Sequence, residues 1–295
     1  MADIQMRFHK DMLVLSTSFD RAFVQQGFDP KREEAYIDLC EPELIEQAYQ
    51  LEKMIDTPCF CTATECITNA RLAHEKFEGQ GAELASLAWE LVREPNPQHT
   101  IATIGPTGLP LDESSAPSLK ASRKQYQDAV GELAAHPFDA LYFSGFTNGY
   151  DAQCALIGAR AVYDGPLFLS YELTDEGELP SNSHSLADAV RLADEYGADV
   201  IGIVCGARLE NLETFVATLR EATDKPLLVE LQVRELIERA LNPDRDNPYY
   251  SPDTMVEAAT KLHRWGVQFV RAGGMASPAY TGALVATLAG LDVVA

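Results

Sequence analysis

The chain alternates short apolar segments with longer amphipathic ones along almost its whole length. The short segments are apolar on both faces, which is typical of strands that helices cover in a parallel sheet. They are Met12–Thr17, Pro58–Thr64, Thr100–Gly105, Ala140–Gly145, Pro166–Leu173, Ala198–Cys205, Pro226–Val233 and Val267–Gly273. The pattern therefore predicts eight buried strands.

The segments between these strands carry apolar residues at helical spacing. Examples are Glu41–Met54, Leu119–His136, Tyr150–Val162, Leu186–Tyr196 and Leu209–Ala222. About eight strand–helix units in a chain of this length predict an α/β fold, a single-domain (β/α)8 TIM barrel over residues 1–295. An open, doubly wound sheet is the alternative. It is disfavoured because Ser16–Phe19 follows the first strand, where that fold places a Gly-x-Gly-x-x-Gly turn.

Charge and composition narrow the range of functions. The chain has 45 acidic against 23 basic residues, a net charge of -22. Such a field repels nucleic acid and anionic membranes, so we expect neither as a partner. It is compatible with a cationic substrate or a basic protein partner, but a solvated acidic surface is the favoured explanation. The sequence has no apolar run of the roughly 18 residues that span a bilayer, and it begins without the apolar core of a secretory signal. We therefore expect a cytoplasmic protein whose oligomeric state stays open.

Candidate functional residues follow from the predicted barrel, because TIM-barrel chemistry lies at the C-terminal ends of the strands. That rule selects Thr17, Thr62, Thr64, Glu65, Ser144, Asn148, Tyr171, Glu172, Cys205, Glu230, Gln232, Arg271 and Gly273. Two longer segments, 107–117 and 243–252, are rich in Pro, Asp and Asn or Ser and are predicted to be loops that cover the barrel mouth.

Two of these candidates are acids inside otherwise apolar strands. Glu172 lies in LFLSYEL and Glu230 in LLVELQV. A buried carboxylate is costly unless it is paired or bound to something. Opposed acids at the mouth would act as acid and base or would hold a cationic group. The alternative is an ion pair with Arg271 or Arg234 at the barrel rim.

The C-terminal sixty residues carry a family resemblance. The helix predicted over Ser251–Gly266 leads to a strand, to Gly273-Gly274 and then to Ser277-Pro278. This order resembles the C-terminal signature of the homocysteine S-methyltransferase family, in which the same helix leads to Gly-Gly-Cys-Cys-Gly-Thr. Shorter matches extend the resemblance over most of the chain. They are Ile104–Gly108, Val200–Gly206, Thr62–Thr64 with the helix after it, and Ser170–Gly177.

The resemblance implies a catalytic zinc bound by three thiolates, which keeps a substrate thiol deprotonated. Cys205 matches the first of those cysteines, but Gly273 and Gly274 stand where the adjacent pair belongs. The family's first strand ends in Asp-Gly and its fourth carries a glutamate for the substrate amine; here Ser16–Ser18 and Ser144 take those places. A zinc site rebuilt from Cys205 with Cys59, Cys61 or Cys66 is the remaining way to bind the metal, and it is disfavoured because the spacing matches no known zinc motif.

The sequence thus predicts a divergent methyltransferase of this kind that acts on small molecules. Its catalytic candidates are Glu172, Glu230 and Cys205. Its substrate-binding candidates are Thr62, Thr64, Ser144, Asn148 and Tyr171. The resemblance implies a sulfonium, a quaternary amine, a folate or a methyl-corrinoid as the methyl donor, the last with a corrinoid protein as partner. Two alternatives stay open: a non-catalytic binding or regulatory relative, and a zinc enzyme with the rebuilt cysteine set.

Overall fold

Eight parallel strands close into a barrel in the computed structural model, which describes residues 3–234 and 247–294. The strands are β1 Leu13–Leu15, β2 Cys59–Cys61, β3 His99–Ile104, β4 Ala140–Phe146, β5 Leu167–Glu172, β6 Val200–Cys205, β7 Leu227–Val233 and β8 Phe269–Gly274. All eight predicted strands are present, and the barrel closes where β1 pairs with β8, with Leu15 opposite Arg271. The predicted TIM barrel is confirmed.

Helices cover the outside of the barrel. They are α1 Asp20–Gln25, α2 Glu34–Cys40, α3 Glu43–Met54, α4 Asn69–His74, α5 Gly81–Arg93, α6 Ala116–Ala134, α7 Gly149–Arg160, α8 Leu186–Glu195, α9 Leu209–Ala222, α10 Pro252–Arg264 and α11 Pro278–Leu288. Several begin with the expected caps: the Ser115 and Ser185 hydroxyls accept from backbone N–H groups of α6 and α8. No helix in the described part of the chain is both long and apolar enough to cross a membrane.

The buried side chains form two layers, one inside the barrel and one between the strands and the helices. The inner layer includes Leu13, Leu15, Cys59, Cys61, Ile101, Ala140, Tyr142, Phe168, Val200, Leu228 and Phe269. A short 3₁₀ helix, Ile4–Arg7, lies at its N-terminal end, and the ring of Phe8 contacts Phe168 and Phe269. The interior of the barrel is therefore packed at its N-terminal end, and the mouth at the C-terminal ends of the strands is where this fold places its ligands.

The loop predicted over 107–117 is present between β3 and α6. The other predicted mouth loop, 243–252, starts in a part of the chain outside the described residues.

Candidate active site in the barrel mouth

A buried ion pair joins β7 and β8 at the mouth. The two strands pair with Glu230 opposite Arg271, and both side chains point into the barrel because they follow Leu228 and Phe269 by two positions. Arg271 Nη1 lies 3.1 Å from Glu230 Oε2, and the exposed fractions of the two side chains are only 2% and 4%. Arg271 Nε donates to the carbonyl of Ser16 at 3.0 Å. The ion-pair alternative for Glu230 is thus confirmed.

The ion pair keeps the buried Arg271 side chain positively charged. Burial disfavours the guanidinium, but attraction to the Glu230 carboxylate outweighs it and raises the pKa of Arg271 above its usual value. Glu230 is also fixed from the other side, since Gln232 Nε2 donates to its Oε1 at 2.8 Å. The pair is therefore held from both sides, by Ser16 at Arg271 and by Gln232 at Glu230.

Gly273 and Gly274, where the family resemblance expects cysteines, lie against this pair. A Cβ atom on Gly273 would overlap Oε1 of Glu230, and one on Gly274 would overlap Oε1 of Gln232. Gly274 also has a φ of +60°, which L side chains rarely adopt. The side chains of β7 thus occupy the space that side chains on these two β8 residues would need.

Two further carboxylates face the ion pair from the loops. Asp20 opens α1, whose start is held against β8 because Ser18 Oγ donates to the Gly274 carbonyl at 3.2 Å. Burial raises the pKa of Asp20 to about 6, with repulsion from Glu230 adding to the effect and Arg271 opposing it.

Glu65 lies on the loop after β2. Burial raises its pKa to about 7, repulsion from Asp20 adds to this, and Arg271 opposes it. Its backbone is held on both sides: its N–H donates to Glu34 Oε1 at 3.0 Å, and its carbonyl accepts from Gly105 N at 3.0 Å. Three carboxylates thus lie around the Arg271 guanidinium, with Arg71 acting more weakly on Glu65 and Lys31 on Asp20, and mutual repulsion makes full ionisation costly.

Hydroxyl groups line the opposite side of the mouth. Tyr142 Oη and Ser170 Oγ are 2.8 Å apart, and Ser170 Oγ also accepts from Gly145 N at 3.1 Å. Arg271 stands 5.9 Å from the centre of the Tyr142 ring, a cation–π distance. Ser144 follows Tyr142 on the same inward face and is buried. Of the predicted substrate-binding residues, Ser144 is the one that borders this cluster.

Glu172 ends β5 on the inward face, in phase with Phe168 and Ser170, and it is exposed. Val204 on β6 lies between Glu172 and Glu230 in register, so the two acids stand two strands apart and are not directly opposed. Both predicted acids face the mouth, Glu172 exposed and Glu230 buried.

Four other candidates have structural partners. Thr64 Oγ1 donates to the Thr103 carbonyl at 2.7 Å, and Thr62 Oγ1 accepts from Thr103 N at 2.9 Å, so both threonines link the β2 loop to β3. Asn148 caps α7 by accepting from Tyr150 N. Contrary to expectation, Tyr171 does not face the mouth: it points outward and donates to the Ala189 carbonyl of α8.

The cysteines do not converge. Cys59 and Cys61 point into the barrel, whereas Cys66 and Cys205 belong to the layer between strands and helices. Burial raises the pKa of Cys61 and of Cys205 to about 11, so both thiols are protonated at neutral pH. Among the described residues, the single group able to share a metal ion is Glu34, Asp38 and Cys66, which excludes Cys205. The rebuilt cysteine set, which was a disfavoured alternative on sequence grounds, is therefore not assembled among the described residues.

Comparison with known proteins agrees with the architecture. No curated protein matches the chain by sequence. The metallated form of the homocysteine methyltransferase MmuM from Escherichia coli superposes with a TM-score of 0.73 at 20% identity, covering 94% of this chain and 96% of that one. Its oxidized form gives a TM-score of 0.75 with the same identity and coverage. The carboxyl transferase domain of Rhizobium etli pyruvate carboxylase with pyruvate and biocytin gives 0.57 at 14% identity, covering 98% of this chain and 45% of that one.

These structural likenesses, at 14–20% identity, establish the fold alone. A stronger relation comes from the profile of the family described as homocysteine S-methyltransferase, which matches residues 21–280. Family membership supports methyltransferase activity on small molecules. The chain belongs to the homocysteine S-methyltransferase family.

Proposed function

We propose that this protein is a methyltransferase that works without a zinc-bound thiolate and whose acidic mouth binds an onium methyl donor, a sulfonium or a quaternary ammonium. The observation that carries the proposal is the charge balance of the mouth. Asp20, Glu65 and Glu230 surround one guanidinium, Arg271, and the pKa values of Asp20 and Glu65 are raised. A cationic ligand beside them relieves the repulsion.

The side chains present do not fit a three-thiolate zinc centre. A catalytic zinc needs about three protein ligands and an open position. Gly273 and Gly274 supply none, Glu230 and Gln232 fill their space, and Cys205 lies in the outer layer. The mouth therefore offers no three-thiolate site for zinc.

Methyl transfer from an onium donor fits the groups at the mouth. The acceptor's lone pair forms a bond to the methyl carbon, the carbon–sulfur or carbon–nitrogen bond breaks, and its electron pair leaves on a neutral thioether or amine. The acceptor then loses its proton to a carboxylate. Asp20 is suited to take it, because a pKa of about 6 leaves the group ionised yet basic near neutral pH. Glu172, exposed at the rim, adds to the attraction for the cation.

The other donors inferred from the resemblance are less consistent with this charge. A folate carries carboxylates of its own, which the mouth repels. A methyl-corrinoid on a partner protein needs no acidic mouth. The onium donor is thus the one whose charge complements the site.

Calorimetric titration with choline and with its neutral carbon isostere, dimethylbutanol, tests the proposal. The two probes have the same shape and differ in charge. We expect choline, and likewise trimethylsulfonium, to bind at least about tenfold more tightly than the isostere. Asp20→Asn should reduce this preference several-fold. Asp188→Asn, on an exposed part of α8, is the matched control and should leave it unchanged.

Equal affinity for the two probes would overturn the proposal. Methyl transfer from trimethylsulfonium to small thiols and amines, followed by mass spectrometry in the presence of a chelator, then separates an enzyme from a relative that only binds. Product formed under chelation supports the zinc-independent transferase. Tight binding with no product on any acceptor supports the non-catalytic alternative.

A further inference from the structure

A second cluster of chemically reactive side chains lies outside the mouth, where α2 packs against the loop that follows β2. Glu34 and Asp38 are one helical turn apart on α2, and Cys66 follows from the loop. All three are buried, and one ligand atom from each lies within 4.8 Å of those of the other two. From the sequence, Cys66 was named only as a possible partner of Cys205, and Glu34 and Asp38 were not named.

This cluster holds more acid than its surroundings neutralise. The nearby cation is Arg71, whose Nη2 lies 3.7 Å from Glu34 Oε2. Glu75 adds a third carboxylate that repels both Glu34 and Asp38. Burial raises the pKa values of Glu34 and Asp38 well above their usual range, and repulsion among the acids adds to this effect. The protein therefore keeps several carboxyls in a place that disfavours their charge.

The hydrogen bonding of the cluster is incomplete. Asp38 is 2% exposed, and its Oδ1 has no hydrogen-bond partner among the described residues. Its Oδ2 has a long contact, 3.8 Å, with the Cys66 thiol. The buried Oε1 of Glu75 likewise has no partner in the described part of the chain. Unsatisfied buried carboxylate oxygens are costly, and a cation among them would remove the cost.

We propose that Glu34, Asp38 and Cys66 bind a divalent metal ion, with zinc as the preferred ion. One sulfur and two carboxylate oxygens form a mixed donor set that suits zinc and not magnesium or calcium, which take oxygen ligands. The 3.8 Å between Cys66 Sγ and Asp38 Oδ2 is close to the roughly 3.5 Å separation of two ligands on a tetrahedral zinc. A water or Glu75 completes the four positions.

The metal would act on the structure and not on the reaction. Glu34 Oε1 also accepts the backbone N–H of Glu65, so a metal on Glu34 would hold the β2 loop against α2. That loop carries the Glu65 carboxylate into the mouth. The inference concerns a site separate from the mouth and does not depend on the proposed methyl donor.

Titration of the chelator-treated full-length protein with Zn²⁺, and separately with Co²⁺, tests the inference. We expect one ion per chain and, with cobalt, a thiolate-to-cobalt charge-transfer band in the near ultraviolet. Cys66→Ser should abolish the band and weaken zinc binding at least about tenfold, and Asp38→Asn should weaken it comparably. Cys205→Ser and Cys154→Ser remove buried thiols elsewhere and are the controls that should keep both signals.

Loss of zinc binding in a variant must be distinguished from failure of the variant to fold. Asp38→Asn keeps the side-chain shape and removes a carboxyl whose charge burial disfavours, so the metal-free variant should melt no lower than the metal-free wild type. The inference is overturned by absence of binding, by binding that survives both Cys66→Ser and Asp38→Asn, or by a band lost in Cys205→Ser. It is overturned equally if a zinc-soaked crystal shows only a water at Asp38 Oδ1, since a cavity of about 10 Å³ beside Asp38 has room for one.

Discussion

Gly273 and Glu230 are neighbours on adjacent strands, and the carboxylate of Glu230 occupies the space that a side chain on Gly273 would fill. The absence of a side chain at residue 273 and the presence of an acid at residue 230 are thus a single structural feature. It allows Glu230 to reach Arg271 inside the barrel. The feature explains physically why glycine stands where the family resemblance expects a cysteine.

The first prediction tests this steric relation. Gly273→Ala should lower the free energy of unfolding by about 1–3 kcal/mol, because the added methyl group must displace Glu230 from its ion pair. In a Glu230→Ala background the same change should cost less, with a coupling of at least about 1 kcal/mol in a urea-unfolding double-mutant cycle. Gly131→Ala is the control: it lies in α6 with open space around it and should be neutral or stabilising. Strict additivity of the two changes would contradict the relation.

The second prediction concerns the buried ion pair. Arg271→Met leaves Glu230 buried without its cation and should destabilise the protein by about 3–5 kcal/mol. The double variant Arg271→Met with Glu230→Leu should recover most of that loss, because no buried charge remains. Urea unfolding of Arg271→Met, of Glu230→Leu and of the double variant measures this. A double variant as unstable as Arg271→Met alone would show that the pair itself supplies the stability, and strict additivity of the two single changes would show that the residues do not interact.

Which site residues could be predicted depends on whether the sequence shows which side of each strand faces the barrel interior. All eight strands were predicted because runs that are apolar on both faces mark a covered parallel sheet. The same property hides which residues face inward, so Tyr171 was assigned to the mouth although it binds the backbone of α8. Along each strand every second residue faces inward. Ser170 and Gly202, a polar and a small residue among large apolar ones, indicate which set of alternate residues that is on β5 and β6.

Asp20 was missed for a different reason. It lies beyond the end of β1, in the first turn of α1, and the strand-end rule does not reach it. Its position depends on Ser18 holding the chain to β8, about 250 residues away, which no local pattern reveals. By contrast, Glu230 and Arg271 were both strand-end candidates, and their pairing was a stated alternative.

The third prediction follows from the pKa of Asp20. The folded-state pKa of about 6 is above the usual 3.8, so the folded protein binds this proton more tightly than the unfolded chain. The contribution of Asp20 to stability is thus fully present below about pH 4 and is lost as the pH rises to about 6. Asp20→Asn should therefore be more stable than wild type near pH 8, by about 1–2 kcal/mol after allowance for solvent screening.

Urea unfolding near pH 4 and near pH 8 checks this difference, which should shrink towards zero at the lower pH. Asp188→Asn is the matched control. A hydrogen bond from Ser185 lowers the pKa of Asp188 below its usual value, so its contribution is lost only as the pH falls further. An Asp20→Asn advantage that is the same at both pH values would show that the gain is not due to the carboxylate's charge.

The fourth prediction joins the pKa of Asp20 to ligand binding. Choline should bind the mouth more weakly as the pH falls through about 6, because Asp20 gains a proton and loses its negative charge. The groups that act on Asp20 are Glu230, Arg271, Ser18 and Lys31, and Glu65 shares the mouth. Since Glu230 keeps its ion pair with Arg271, Asp20 and Glu65 are the carboxylates whose titration this binding should follow, and Asp20→Asn isolates the part that is due to Asp20.

Calorimetric titrations of choline and of dimethylbutanol across about pH 5 to pH 8 measure the effect. The affinity of wild type for choline should rise several-fold over that range, whereas the affinity for the neutral isostere should stay constant. In Asp20→Asn the rise should be clearly smaller, and in Asp188→Asn it should match wild type. A choline affinity that rises as steeply in Asp20→Asn as in wild type would place the titrating charge elsewhere and would remove Asp20 from the proposed site.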